Sequence, residues 1–219
     1  MWWRFFRRYI GASLSSVDEF MPLTLRLSAA TALGVATAAL LSGCLIPEKF
    51  TAAVDVKPNG SATYQYDGTA RNFLVALQIQ EAGPLSAKDE AELRQDAEKT
   101  AKKPGVRKFE YLGAGRYQML TVEELQPGHK PAMLDMVRLT KGKDGVFSLA
   151  SPPVKEKDQQ ELKKINIKVD GTLEVKLPSN AKVVAHNASS TPGFFSKAYV
   201  WKIGGADLKP SITYTLSPS

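Results

Sequence analysis

The sequence predicts an α+β domain, mostly antiparallel β-sheet packed as a sandwich, with a helical insertion after the first hairpin. Three observations predict it. Alternation of apolar and polar residues, the period of a half-buried strand, runs through residues 50–66 and returns from residue 106 to residue 216. Helical patterns are confined to residues 72–103, and strands in runs with segregated helices indicate α+β rather than a parallel βαβ sheet. One cysteine in 219 residues excludes an internal disulfide, so the fold must rest on packing.

The elements follow in order. Phe50, Ala52, Val54 and Val56 alternate with Thr51, Asp55 and Lys57; Pro58-Asn59-Gly60 supplies the turn; Ala62, Tyr64 and Tyr66 return as the second arm of a β-hairpin. Asn72 to Ile79 reads as a short helix stopped by Gly83-Pro84. Ser86, three residues before Asp89, reads as an N-cap, and the helix it opens ends at Lys102-Lys103-Pro104-Gly105. Phe109 to Tyr111 and Tyr117 to Met119 flank Gly113-Ala114-Gly115 as a hairpin. Met133 to Thr140 and Val146 to Ala150 form another around Lys141 to Gly145. Residues 151–160 read as an exposed connection. Residues 165–177 read as either a hairpin turning at Asp170-Gly171 or one strand with a glycine bulge. Val183-Val184, the face Tyr199, Trp201 and Ile203, and the face Ile212, Tyr214 and Leu216 supply the last strands. Residues 50–219 thus form a single domain.

Ahead of this domain lies a different kind of sequence. Leu27 to Leu41 carries no charge and follows Arg26, the pattern of a secretory signal. It ends in Leu41-Ser42-Gly43-Cys44, a bacterial lipobox. Small residues let the backbone enter the signal peptidase extended, and the Cys44 sulfur accepts a diacylglyceryl group before cleavage ahead of it. Residues 1–43 are therefore expected to leave, Cys44 to carry palmitate-type acyl chains, and residues 44–49 to act as a short tether. A plain transmembrane anchor is the alternative, because residues 27–46 are uncharged over a bilayer-spanning length. The Ala, Thr, Ser and Gly content and Pro47 favour the signal. Met21-Pro-Leu-Thr-Leu-Arg26 is a complete n-region by itself, which points to Met21 as the true start. The rival is that Trp2 to Phe20 is a membrane-surface segment, rich in Arg, Trp and Phe.

Four arginines and two acids within residues 1–43 account for two of the seven net positive charges, leaving +5 on the mature part. That excess suits solubility as well as contact with anionic envelope lipid. Nucleic acid is not an expected partner of an exported chain without an Arg-aromatic motif.

Little catalytic chemistry is legible. The chain has two histidines, His129 in a Pro-Gly loop and His186 at a strand end. No nucleophile elbow, metal-ligand spacing or phosphate-cradling glycine loop occurs, so no cofactor and no metal is expected. Glu123 and Glu124 are adjacent, which on a strand sends them to opposite faces. The strand aromatics Tyr64, Tyr66, Tyr117, Tyr199, Trp201 and Tyr214 are candidates for the wall of an acyl-chain pocket, or for plain core.

Val56-Lys-Pro-Asn-Gly60-Ser61 and Gly171-Thr-Leu-Glu-Val-Lys-Leu177-Pro carry a likeness, together with Val183-Val-Ala-His186-Asn187 and Tyr199-Val-Trp201. With the lipobox they resemble the LppM-like family of bacterial lipoproteins over most of residues 44–216; the helical insertion and residues 151–160 stand outside the likeness. The resemblance implies an exported lipoprotein domain without catalytic residues, in contact with envelope lipids. The expectation is thus a non-enzymatic protein held on the envelope membrane by its acyl chains, binding envelope lipid or a protein partner. Leu45 is not an acid, so a host with two membranes would sort it to the outer one, facing the periplasm. An envelope hydrolase whose residues meet only in space, and a structural assembly subunit, are the alternatives.

Overall fold

The computed structural model describes residues 45–194 and 196–218. Cys44 and the rest of the expected lipobox lie outside them, as do the expected signal segment and Met21. Ten strands and three helices run in the order β1 (Leu45–Val56), β2 (Ala62–Asn72), α1 (Phe73–Ala82), α2 (Ala87–Thr100), β3 (Val106–Gly113), β4 (Arg116–Leu125), β5 (Arg138–Lys141), β6 (Phe147–Ala150), α3 (Glu156–Lys164), β7 (Asp170–Lys176), β8 (Ala181–His186), β9 (Ala198–Ile203) and β10 (Ser211–Leu216). Six strands form one sheet in the order β3-β4-β2-β1-β7-β9, and four form a second in the order β5-β6-β10-β8. The class is α+β, largely antiparallel, with the helical insertion after the first hairpin.

Side chains from both sheets meet in one apolar cluster. Ala52, Val54, Tyr64, Tyr66, Leu173 and Val175 come from the larger sheet, and Leu139, Phe147, Leu149, Ile212 and Tyr214 from the smaller. Ala97 of α2 joins the same cluster. The alternation legible in the sequence is therefore the inward face of each strand. A second, smaller cluster gathers Ala76 of α1, Leu162 of α3, Ile165 and Ile167, with Ile46, Phe73, Leu77 and Ala206 packed against it.

Four expectations change. Residues 45–49 are not a free tether: they open β1, in register with β2 and with Leu45 buried. The strand expected from Met133 shrinks to Arg138–Lys141, because Leu134 and Val137 fill the core from a loop instead. The connection expected at 151–160 holds most of α3; its only buried side chain is Leu162, while Glu156 and Asp158 begin it and Lys163 and Lys164 end it, matching the helix dipole.

Residues 165–177 are neither a hairpin nor one bulged strand. Ile165 caps α3, and Asp170-Gly171 lies inside β7, which pairs with β1 in parallel. Phe50 explains the misread glycine. It stands opposite Gly68 on one neighbour and Gly171 on the other. A Cβ on Gly171 would come within 2.5 Å of the Phe50 carbonyl oxygen and 2.7 Å of its ring. Gly171 makes room for the Phe50 backbone and ring, and Gly68 for the Lys49 carbonyl and the Phe50 Cα and Cβ, close-approach demands that look like turn signals in sequence.

Candidate functional site

Register sets the aromatic residues in rows. Tyr64, Val54, Val175 and Tyr199 face one another across four strands, and Tyr66, Ala52, Leu173 and Trp201 form the next row. Tyr64, Tyr66, Tyr117 and Tyr214 are 0% exposed and Trp201 is 1% exposed. Phe50 stacks on Tyr66 with ring centres 5.6 Å apart, and Phe147 on Tyr214 at 5.4 Å. These four tyrosines and the tryptophan are core, not ligand wall, because the second sheet and α2 close over their face. Tyr66 donates its hydroxyl to the Thr69 carbonyl at 2.8 Å. The hydroxyls of Tyr64, Tyr117 and Tyr214 are buried with no hydrogen-bond partner among the described residues. Burial raises the pKa of all four above the ordinary tyrosine range, and it is the main cause that pushes Tyr111 to about 12.

Tyr199 is the exception. Its row ends at β9, the last strand of the larger sheet, where the smaller sheet also ends at β8. Between these two edges lies an open groove of about 420 Å³, bounded by Leu177, Pro178, Ser179, Ala181, Val183, Pro192, Gly193, Lys197 and Tyr199. Apolar side chains of Leu177, Ala181, Val183 and Tyr199 share its lining with polar atoms, which make up the larger part of its exposed surface, and Lys197 supplies the one charge among the lining residues. Phe194, next to the lining Gly193, is 98% exposed, and Val184 on β8 is 62% exposed. Of the aromatic candidates, the structure brings only Tyr199 to the groove. The remaining lining comes from a strand end and a loop without periodicity, so sequence pattern offered no signal beyond the turn residues Leu177-Pro178 and Pro192-Gly193.

The His186-Asn187 turn positions this edge. The Asn187 Oδ1 accepts from the Trp201 Nε1 at 2.7 Å and from the Ser211 amide at 2.8 Å, while its Nδ2 donates to the Lys209 carbonyl at 2.8 Å. One side chain thereby ties β9 of the larger sheet to β10 of the smaller. His186 accepts the Ala188 amide at Nδ1, 3.2 Å away, and its ring meets Tyr199 edge-on with centres 4.9 Å apart.

The other histidine is elsewhere. His129 is exposed in the loop after β4, beside a shallow recess of about 270 Å³ that also touches Lys130 and Arg138. Both cations pair with Asp135. The two hydrogen bonds from Arg138, chiefly, hold the Asp135 carboxyl below its usual range. Glu123 accepts the Ala132 amide on one face of β4, and Glu124 accepts from Lys57 and Thr63 on the other. Among the described residues no three His, Cys, Asp or Glu side chains gather as a metal site, and no helix is long and apolar enough to cross a membrane.

No protein-family model and no curated protein matches this chain. Among solved structures, the chain is similar to the folded domain of the LppM protein of Mycobacterium tuberculosis, determined by NMR. The TM-score is 0.33 at 12% identity, over 78% of this chain and 91% of the LppM domain.

Proposed function

We propose that this protein is a lipid-anchored, non-enzymatic component of a bacterial cell envelope, which holds an acyl chain of an envelope lipid in the groove between β8 and β9. The observation that carries the reading is the groove's mixed chemistry: apolar side chains of Leu177, Ala181, Val183 and Tyr199 to meet an acyl chain, and polar atoms with one charged residue, Lys197, to meet an anionic head group. The lipobox Leu41-Ser42-Gly43-Cys44 supports the anchor. Each buried CH₂ of an acyl chain contributes about 0.8 kcal/mol, so one chain holds marginally and two or three hold stably. In a host with two membranes the anchor belongs to the outer one, with the domain in the periplasm.

The test is lipid analysis of the full chain purified from its membranes. Lipid is expected to copurify with the wild-type protein and to be lost from Ala181→Trp, whose indole fills the groove, at an unchanged melting temperature. A lipid-free wild-type protein would overturn the groove reading. Retention of Cys44→Ser in the membrane fraction would overturn the anchor.

The exposed Val184 on the open edge of β8 favours a second reading, in which a protein partner adds a strand there. Val184→Lys would then abolish capture of that partner and leave bound lipid unchanged.

A further inference from the structure

The two helices of the insertion differ in a way their shared position does not explain. Helix α2, Ala87–Thr100, is an ordinary surface helix, with Lys88, Asp89, Glu90, Glu92, Arg94, Asp96, Glu98 and Lys99 along it. Helix α1, Phe73–Ala82, has one charge in ten residues, Glu81, and is apolar at Phe73, Leu74, Val75, Ala76, Leu77 and Ile79. A helix with so apolar a first half is normally enclosed there by protein or lipid, while the exposed Gln78, Gln80 and Glu81 suit its second half to an interface with water. Yet only Ala76 is buried. Phe73 and Leu77 rest on the small cluster, whereas Leu74 and Ile79 belong to neither apolar cluster and are only partly buried.

The place of α1 supplies what would cover it. Its N-cap Asn72, whose Oδ1 accepts the Leu74 and Val75 amides at 3.0 and 3.2 Å, stands directly opposite Leu45 in the β1–β2 ladder. Leu45 is the residue bonded to Cys44. Because β1 begins at Leu45, no linker separates the acylated residue from the helix. Leu112, 48% exposed, lies at this same end: Gly113 pairs with Arg116, and Arg116 with Arg71. Three exposed lysines lie around the region, Lys49 on β1, whose ladder partner is the exposed Asp170, and Lys163 and Lys164 at the end of α3, whose Leu162 packs in the cluster beneath α1; the exposed acid on α1 itself is Glu81. Part-exposed apolar side chains with lysines nearby suit the head-group zone of an anionic bilayer.

We infer that the outward side of α1, centred on Leu74 and Ile79, lies in the head-group region of the anionic membrane that holds Cys44. This rests on the anchoring half of the proposed function and is independent of the groove. The groove row containing Tyr199 is level with Val54, nine strand residues from Leu45, which is about 30 Å along β1. With β1 directed away from the membrane, an occupant of the groove has to leave the anchoring bilayer.

The test uses the acylated full chain in vesicles of phosphatidylcholine and phosphatidylglycerol. Ile79→Cys carries an environment-sensitive NBD label, with Leu74→Cys as a second position. Lys143→Cys, exposed in the β5–β6 turn at the opposite end, is the control. Emission at positions 74 and 79 is expected to shift to the blue, with quenching by spin-labelled lipid several-fold that at position 143, and to weaken when phosphatidylglycerol is omitted. Labels at 74 and 79 as water-exposed as the one at 143, on protein that remains vesicle-bound, would overturn the docking and leave the anchor standing. The parent chain reports the anchor separately. An acylated Cys44 resists the thiol reagent, whereas a reactive Cys44 on unbound protein would overturn anchor and docking together, leaving the groove to be judged by its copurified lipid.

Discussion

The main core and the small cluster at the start of β1 are both apolar, but they are built differently. The main core is assembled by register: strand after strand presents alternate residues, and Tyr64, Tyr66 and Trp201 fall into rows with neighbours fixed by the ladders. The small cluster is assembled by proximity alone, from Ile46, α1, α3 and the Ala206 loop, with no ladder dictating which side chains meet. The first is wide, aromatic and closed on both sides. The second is thin, mostly aliphatic and partly open at α1. Depth of enclosure, more than apolar content, separates a stabilising centre from a surface able to take a partner.

Four measurements break or sharpen this contrast. The largest effect is expected at Trp201→Ala, which removes a fully buried ring: about 3–5 kcal/mol of unfolding free energy in a urea titration, against about 2 kcal/mol for Leu162→Ala in the small cluster. Equal losses would mean the two clusters are energetically one. Next comes Asn187→Ala, which leaves the Trp201 indole and the Ser211 amide without their acceptor. It should cost about 2 kcal/mol by the same titration.

Alkaline pH sharpens the comparison further, because the tyrosines with raised pKa values all belong to the main core. Their protons are held more tightly folded than unfolded. The stability they contribute is intact below the unfolded value of 10.0 and is lost as pH rises through the folded value, about 12 for Tyr111. Urea midpoints followed into this range should fall, while the aliphatic cluster contributes no titrating group. At the acid end, Asp135 has the opposite sign: its pairing with Arg138 stabilises above the usual carboxylate range and is lost as pH drops through its lowered pKa. The smallest effects separate hydroxyls by partner. Tyr66→Phe should cost about 1 kcal/mol, since its hydroxyl is bonded, whereas Tyr214→Phe should be neutral or slightly stabilising, since its hydroxyl is buried unpartnered. Thermal melts of both variants give the sign directly.

Much of the fold was legible because alternation and turn chemistry are local. The first hairpin and the one around Gly113-Ala114-Gly115 follow from a few neighbouring residues. So does the insertion, from Ser86 as cap to Lys102-Lys103-Pro104-Gly105 as stop. The helix α3 was illegible because one buried leucine among charges leaves almost no period. Gly171 was misread because the ring that demands it, Phe50, is 121 positions away in sequence. The candidate site was less legible than the fold. Aromatic strand residues suggested a pocket, but whether a ring lines a wall or fills a core depends on what closes over its face, and of these candidates only Tyr199, partly buried against the core, also reaches the groove.

The sequence by itself determined most of the strands, their inward faces and the helical insertion, because each is written in contacts between near neighbours. Tertiary structure decided the parallel pairing of β1 with β7, the groove at the β8 and β9 edges, and the meeting of an apolar helix with the first residue of β1. Those depend on which distant segments share an edge or an end. Local propensities leave that choice open until the whole chain has packed.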